Sequence, residues 1–191
     1  MLVQQTLVKK GIHAFTALEF QRLFQVSKTA STFFLFHHCR SGLFVRLKNG
    51  LYALASHFPS EEVIANRLYQ PSYLSFEYVL ARHGIIPEAV YTLTSATTKP
   101  SRRFQVEGKS YEYHTIKKEA YIGYEPEKVG QRVILVASKE KALVDMLYFV
   151  ALKKRSLNTR LELSGLSKKA ALHYASYFNR PNLTKLIREM L

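Results

Sequence analysis

The chain is 191 residues long, with 28 Lys and Arg against 14 Asp and Glu and a formal net charge of +14. An apolar fraction of 47%, with 12 Tyr and 12 Phe, suffices for a real core and excludes a disordered or low-complexity arm. No apolar run approaches the ~20 residues of a membrane-spanning helix, Met1 to Thr6 does not read as a secretory signal, and the lone Cys39 excludes both an internal disulfide and a Cys-rich zinc site.

In chain order, the first segment reads helix, helix, helix, hairpin. Leu2 to Lys10 carries apolar residues at helical spacing and stops at Gly11. His13-Ala14-Phe15 is a short extended link. Thr16 and Glu19 form a T-x-x-E capping box that opens a second helix bearing Leu18, Phe20 and Leu23. Ser27 caps a third helix, expected to run to about Arg40 and end at Gly42. Leu43 to Leu54 reads as a hairpin about a type I′ turn at Asn49-Gly50. That register sets Lys48 opposite Leu51 and Leu47 opposite Tyr52. It puts Leu43, Val45, Leu47, Tyr52 and Leu54 on one face, with Arg46 and Lys48 exposed on the other. Three helices, a short turn between the second and third, then a β-ribbon are the parts of a winged helix-turn-helix, expected over residues 1–56.

A seam falls near Ser56-His57-Phe58-Pro59, and residues 57–191 read as a separate α+β domain. Ser60 caps a helix with Glu61 and Glu62 in its first turn, as the helix dipole prefers. Ser75 opens another, Phe76 to His83. Strands are expected at Ala89 to Ser95, Arg103 to Val106, Tyr111 to Ile116 and Arg132 to Ala137, the middle two joined through Glu107-Gly108-Lys109-Ser110. They imply a small, mostly antiparallel sheet. Ser138 caps a helix from Lys139 to Leu152, and two more close the chain, one opened by Ser167 and one after Pro181. The fold class is α+β.

Charge narrows the function. Residues 1–56 hold seven Lys/Arg and one acid, Glu19, a net +6; residues 57–191 carry +8. Such a balance predicts a polyanionic partner. No terminal amphipathic Lys-rich helix is visible, so nucleic acid is favoured over a membrane surface. Asp145 is the one aspartate in the chain, which makes Mg²⁺-dependent phosphoryl chemistry hard to build. Glu107-Gly108-Lys109 has the E-x-K spacing of Mg²⁺ nucleases, but such sites want an upstream Asp, and Asp145 lies downstream. No Walker loop, G-x-G-x-x-G, H-E-x-x-H or G-x-S-x-G is present. No enzyme activity, metal or cofactor is expected.

The candidate DNA-binding residues are Lys28, Thr29, Ser31 and Thr32, in the first turn and a half of the third helix. There a recognition helix meets base edges, and Lys can reach guanine O6 and N7 while Ser and Thr bond bases or phosphates. The alternative is that they only cap and solubilise the helix end. Arg46, Lys48 and Asn49 sit on the hairpin, within reach of phosphate or minor groove, or else form a solvated tip. Lys99, Arg102, Arg103, Lys153, Lys154 and Arg155 form a candidate accessory basic patch, or a solvated surface. His37 and His38 point ~100° apart on a helix and do not converge on a metal. Lys141 and Asp145 are an i, i+4 pair on the helix after the last strand and read as a helix-face salt bridge.

Four stretches in order resemble the AbiEi family of antitoxins. They are Lys48 to Leu54; Pro71 to Gly84; Tyr91 to Ser95 with the basic hairpin after it; and Ala137 to Asp145, similar to the family's "EKAllD" block. Together they span roughly residues 11–150. The chain departs from the family at Phe33-Phe34-Leu35-Phe36-His37-His38-Cys39, where members often carry Arg and Leu. The resemblance implies a cytoplasmic bacterial protein of a type IV toxin–antitoxin system. Its winged helix would bind double-stranded operator DNA, at inverted repeats, and repress its own operon. Its C-terminal domain would counteract a nucleotidyltransferase-like toxin, with or without direct contact. Lys141 and Asp145 would mark an antitoxin-specific surface or a buried anchor. A stand-alone winged-helix regulator is the alternative within the same class.

Overall fold

Thr16 Oγ1 accepts the Glu19 N–H at 3.1 Å, and the Thr16 N–H donates back to the Glu19 carboxylate at 2.6 Å. This reciprocal cap satisfies two donors that a helix start leaves orphaned, and it launches α2 (Ala17–Phe24). The structure, a computed structural model, describes residues 2–130 and 132–191. The chain is α+β and divides into two compact units between Leu68 and Tyr69.

In the first unit, α1 (Leu2–Lys9), β1 (Ala14–Thr16), α2, α3 (Lys28–Arg40), β2 (Phe44–Lys48), β3 (Leu51–Leu54) and α4 (Glu61–Leu68) follow in order. The expected extended link at 13–15 is a strand: β1 pairs antiparallel with β3, making the sheet order β1-β3-β2. Helices and sheet close over Leu7, Phe15, Phe20, Leu35, Phe44 and Leu54. Phe15 meets Phe44 edge-on at 5.3 Å between ring centres, a preferred aromatic geometry. Leu18, expected among the apolar positions of α2, is exposed. Helix α4 falls in this unit rather than beyond the expected seam at 56, tied back by Arg67 to Glu19 and by Lys48 to the Leu68 carbonyl.

The hairpin differs from expectation in one consequential detail. Lys48 pairs with Leu51, but Tyr52 pairs with Arg46, so Leu47 is an extra residue in β2. The turn is not type I′, because only Gly50, at φ +76°, is left-handed and Asn49 is not. The bulge breaks the period-2 alternation. Phe44 and Leu47, three apart, are both buried, while Val45 and Tyr52 are half-buried. Arg46 and Lys48 now lie on opposite faces of the ribbon, since directly opposed residues share a face.

The second unit carries β4 (Ser72–Leu74), α5 (Phe76–Arg82), β5 (Leu93–Thr97), β6 (Arg102–Val106), β7 (Lys109–Thr115), β8 (Tyr124–Val129), β9 (Arg132–Ala137), α6 (Lys139–Ala151), α7 (Lys168–Ser176) and α8 (Pro181–Met190). Its strands, among the described residues, form one mixed sheet in the order β6-β7-β5-β4-β9-β8. The pairs β5·β7 and β4·β9 are parallel, so the sheet is larger and more mixed than the expected one. Two strands carry no alternating signal. Only three residues long, β4 is buried throughout; β8 holds Pro126 and is an edge strand, where a missing N–H costs least. The strand expected from Ala89 begins only at Leu93. Helix α6 is the hub: residues 141–148 are all buried, and α5, α7 and α8 pack around it.

Candidate nucleic-acid interface and a buried ion-pair cluster

Helix α2 ends with Gln25 in the left-handed region at φ 53°, and Ser27 Oγ accepts the Ala30 N–H at 3.2 Å to start α3. This short turn presents Lys28, Thr29 and Thr32 to solvent. Ser31 is not with them: it is fully buried, and its hydroxyl donates to the Lys28 carbonyl at 2.8 Å. Its place one turn before Leu35, on the inner face, explains why. Further along the outer face stand Phe33, Phe36 and Arg40, which sequence reasoning did not single out for DNA contact; the guanidinium of Arg40 lies 5.6 Å over the Phe36 ring. The signal was the spacing of Thr29, Phe33, Phe36 and Arg40, which traces one helical stripe. No acidic residue occurs in α3.

On the hairpin, Arg46 and Asn49 are exposed, and Arg46 donates to Asn49 Oδ1 at 2.9 Å. Lys48, expected to be exposed, is half-buried, and its ammonium donates to the Leu68 carbonyl at 2.5 Å. A cation there satisfies an orphan carbonyl and faces the negative end of the α4 dipole. The bulge at Leu47 is what turns it that way. Behind α3, His38 packs against Phe34 and Phe44. Burial pushes the half-buried Cys39 thiol up, against the opposing pull of Arg46.

The basic residues of the second unit have divided roles. Lys99 and Arg102 flank the ring of Tyr69, at 5.6 and 5.8 Å from its centre. Arg103 is exposed and pairs with Glu112 at 2.6 Å. Lys153 and Lys154 are exposed beyond α6. Arg155 is half-buried: it pairs with Glu77, packs over Phe76 and Phe149, and donates to His114 Nε2 at 2.7 Å. Burial, then the charges of Arg155 and Arg103, depress the His114 pKa to about 4. Glu112 lies 3.6 Å from the same nitrogen and acts the other way, but the closer Arg155 fixes Nε2 as an acceptor.

Lys141 and Asp145 are neither exposed nor a surface mark. Both are fully buried, and they pair within α6. Asp145 also accepts the Tyr73 hydroxyl at 2.9 Å and the Ser75 hydroxyl at 2.7 Å. The Lys141 ammonium lies 4.7 Å over the Phe178 ring and 5.9 Å over Tyr73. Gly123, at φ +74°, approaches closely; a Cβ there would fall 2.6 Å from the Tyr174 ring and 3.1 Å from the Lys141 stem. Burial raises the Asp145 carboxyl, against the pull of Lys141, Ser75 and Tyr73; burial and Asp145 raise the Tyr73 phenol well above its ordinary value. Ser75 stands at the start of α5 as expected, but its side chain is spent on Asp145 rather than on capping the helix. Glu107 is exposed at the β6–β7 turn, whereas Asp145 is buried. The arrangement is an anchor that fixes β4, the start of α5 and α6 together.

No family model matches the chain, and no curated protein matches it.

Proposed function

We propose that this protein is a DNA-binding antitoxin of the kind its sequence resembles. The first unit is a winged helix-turn-helix that binds operator duplex DNA, at inverted repeats, and represses its own operon. The second unit counteracts a nucleotidyltransferase-like toxin in the cytoplasm. One observation carries the DNA-binding part: α3 follows α2 through a tight turn and presents Lys28, Thr29 and Thr32 outward, with Arg46 and Asn49 exposed on the β-ribbon and no acid on either. Phosphate contacts from such cations supply affinity and orientation, and the start of the helix supplies base contacts.

The test is paired. Lys28→Ala with Arg46→Ala abolishes retardation of the DNA upstream of the protein's own reading frame, at an unchanged melting temperature. The same variant, expressed from an independent promoter, still restores growth to cells expressing a nucleotidyltransferase-like product of an adjacent reading frame. Intact retardation would place the DNA surface elsewhere. Lost protection would make the first unit part of the antitoxin mechanism, and failure of the wild type to protect would leave a stand-alone regulator.

A further inference from the structure

The outer face of α3 carries something that phosphate binding does not call for. Phe33 is 73% exposed and Phe36 61%, although Leu35, Ser31 and Phe34 already serve the inner side of the helix. Lys28, Thr29, Thr32, Phe33 and Phe36 line one shallow groove. Single exposed apolar residues need no explanation, but two rings one turn apart in a groove call for an apolar occupant.

We infer that this groove takes thymine methyl groups in the major groove of duplex DNA, an assignment that rests on the DNA-binding reading above. Charge complementarity selects the occupant. Lys28 and Arg40 stand at the two ends of the stripe, and α3 has no acid, so a polyanion is favoured and a second copy of the same cationic face is repelled. A helix about 10–12 Å across fits a major groove about 12 Å wide. In that groove the thymine C5-methyl is the apolar group on offer, and Phe is a side chain that meets it. Phenylalanine has no donor or acceptor for guanine or cytosine edges. Thr29 and Thr32 line the same groove, and a threonine methyl is another group suited to thymine.

The experiment compares three short duplexes of equal length with the full chain, by fluorescence anisotropy at fixed salt. They are alternating A·T, the same duplex with every thymine replaced by deoxyuridine, and alternating G·C. Uracil removes the methyl and leaves every hydrogen-bonding group. Binding to the thymine duplex is expected to be roughly four- to fifteenfold tighter than to its uracil twin, the scale of one or two buried methyl groups. Phe33→Ala with Phe36→Ala brings that ratio to near one and leaves the salt dependence in place. Equal affinity of the wild type for thymine and uracil duplexes overturns the assignment while leaving DNA binding standing, and needs no variant to read. A ratio that survives in the double variant also overturns it. Dimers dissolved by the double variant, with a wild-type ratio of one, would make the face a self-association surface. No binding to any of the three at low salt removes the DNA-binding reading itself.

Discussion

Lys28 and Lys48 look equivalent in sequence, two lysines on the parts of the proposed DNA-binding module, yet their surroundings give them different work. Lys28 faces solvent, whereas Lys48 is half-buried and holds the carbonyl of Leu68. Lys28→Ala is therefore expected to reduce the slope of log K against log salt by about 0.9, one phosphate contact, without moving the urea midpoint. Lys48→Ala is expected to leave that slope alone and cost about 1.5–3 kcal/mol of stability, the range for a hydrogen bond to a charged group. Salt titration and urea denaturation of both variants decide the matter; identical behaviour would refute the division. His114 provides a pH effect of definite sign. Its pKa is about 4 when folded and near 6.5 when free. Above both values the imidazole is neutral in either state and contributes nothing. As pH falls from about 6.5 to 4, the unfolded chain takes up a proton that the folded chain refuses, so stability drops, by at most about 3 kcal/mol. His114→Gln, which keeps an acceptor for Arg155, is expected to show a smaller loss than wild type between these limits in urea melts. An equal loss would assign the effect to other groups.

At the scale of elements, α6 is held differently from a surface helix. The exposed pair Lys185–Glu189 on α8 has the same i, i+4 spacing as Lys141–Asp145, at 3.8 Å. Removing the exposed pair is expected to change stability by less than about 1 kcal/mol. The buried pair obeys another rule, because a lone charge left in the interior has no water to turn to. Lys141→Met leaves the Asp145 carboxylate with two hydroxyls and no cation, and is expected to cost about 3–5 kcal/mol. The double variant Lys141→Met with Asp145→Leu removes both charges and is expected to lose less than the single one. Denaturant unfolding of the two variants measures the difference, and a double variant worse than the single would mean that Asp145, through Tyr73 and Ser75, contributes stability even without the lysine. The anchor also explains why α5 begins where it does: Ser75 is held at Asp145, and Phe76 takes a left-handed φ of 59° to turn the chain from β4 into the helix.

Over the whole molecule, both units are basic. Residues 1–68 carry eight Lys/Arg against three Glu, and residues 69–191 carry twenty against eleven acids. On the proposed reading, the charge of the entire chain supplies non-specific attraction to DNA, and the first unit supplies orientation on a duplex. If Lys28, Arg40 and Arg46 each meet a phosphate, the slope of log K against log salt is expected to be about −2.7 or steeper, roughly a 500-fold loss of affinity per tenfold rise in salt. Anisotropy titrations across a decade of salt measure it. A slope near zero would show that the positive charge is not used on phosphate.

What the sequence by itself determined were the features written in local chemistry. The capping box at Thr16 and Glu19 and the caps Ser27 and Ser138 each depend on residues a few positions apart and form as read, and a ribbon does form around Asn49-Gly50, though not in the expected register or turn type. So did the α+β class and the excess of positive charge. What only the tertiary structure decided depends on residues far apart in the chain. The bulge at Leu47 lets both Phe44 and Leu47, three apart, be buried, which hairpin periodicity cannot anticipate. It is this that removes Lys48 from the exposed set. Burial of Ser31 follows from which side of α3 meets that core, and the same choice leaves Phe33 and Phe36 outside. Lys141 and Asp145 were legible as a pair four residues apart, but their partners Tyr73 and Ser75 lie seventy or more residues away. The spacing alone suits an exposed helix face as well as a core. Packing of α6 against the sheet and three helices is what took the pair out of water and made it an anchor.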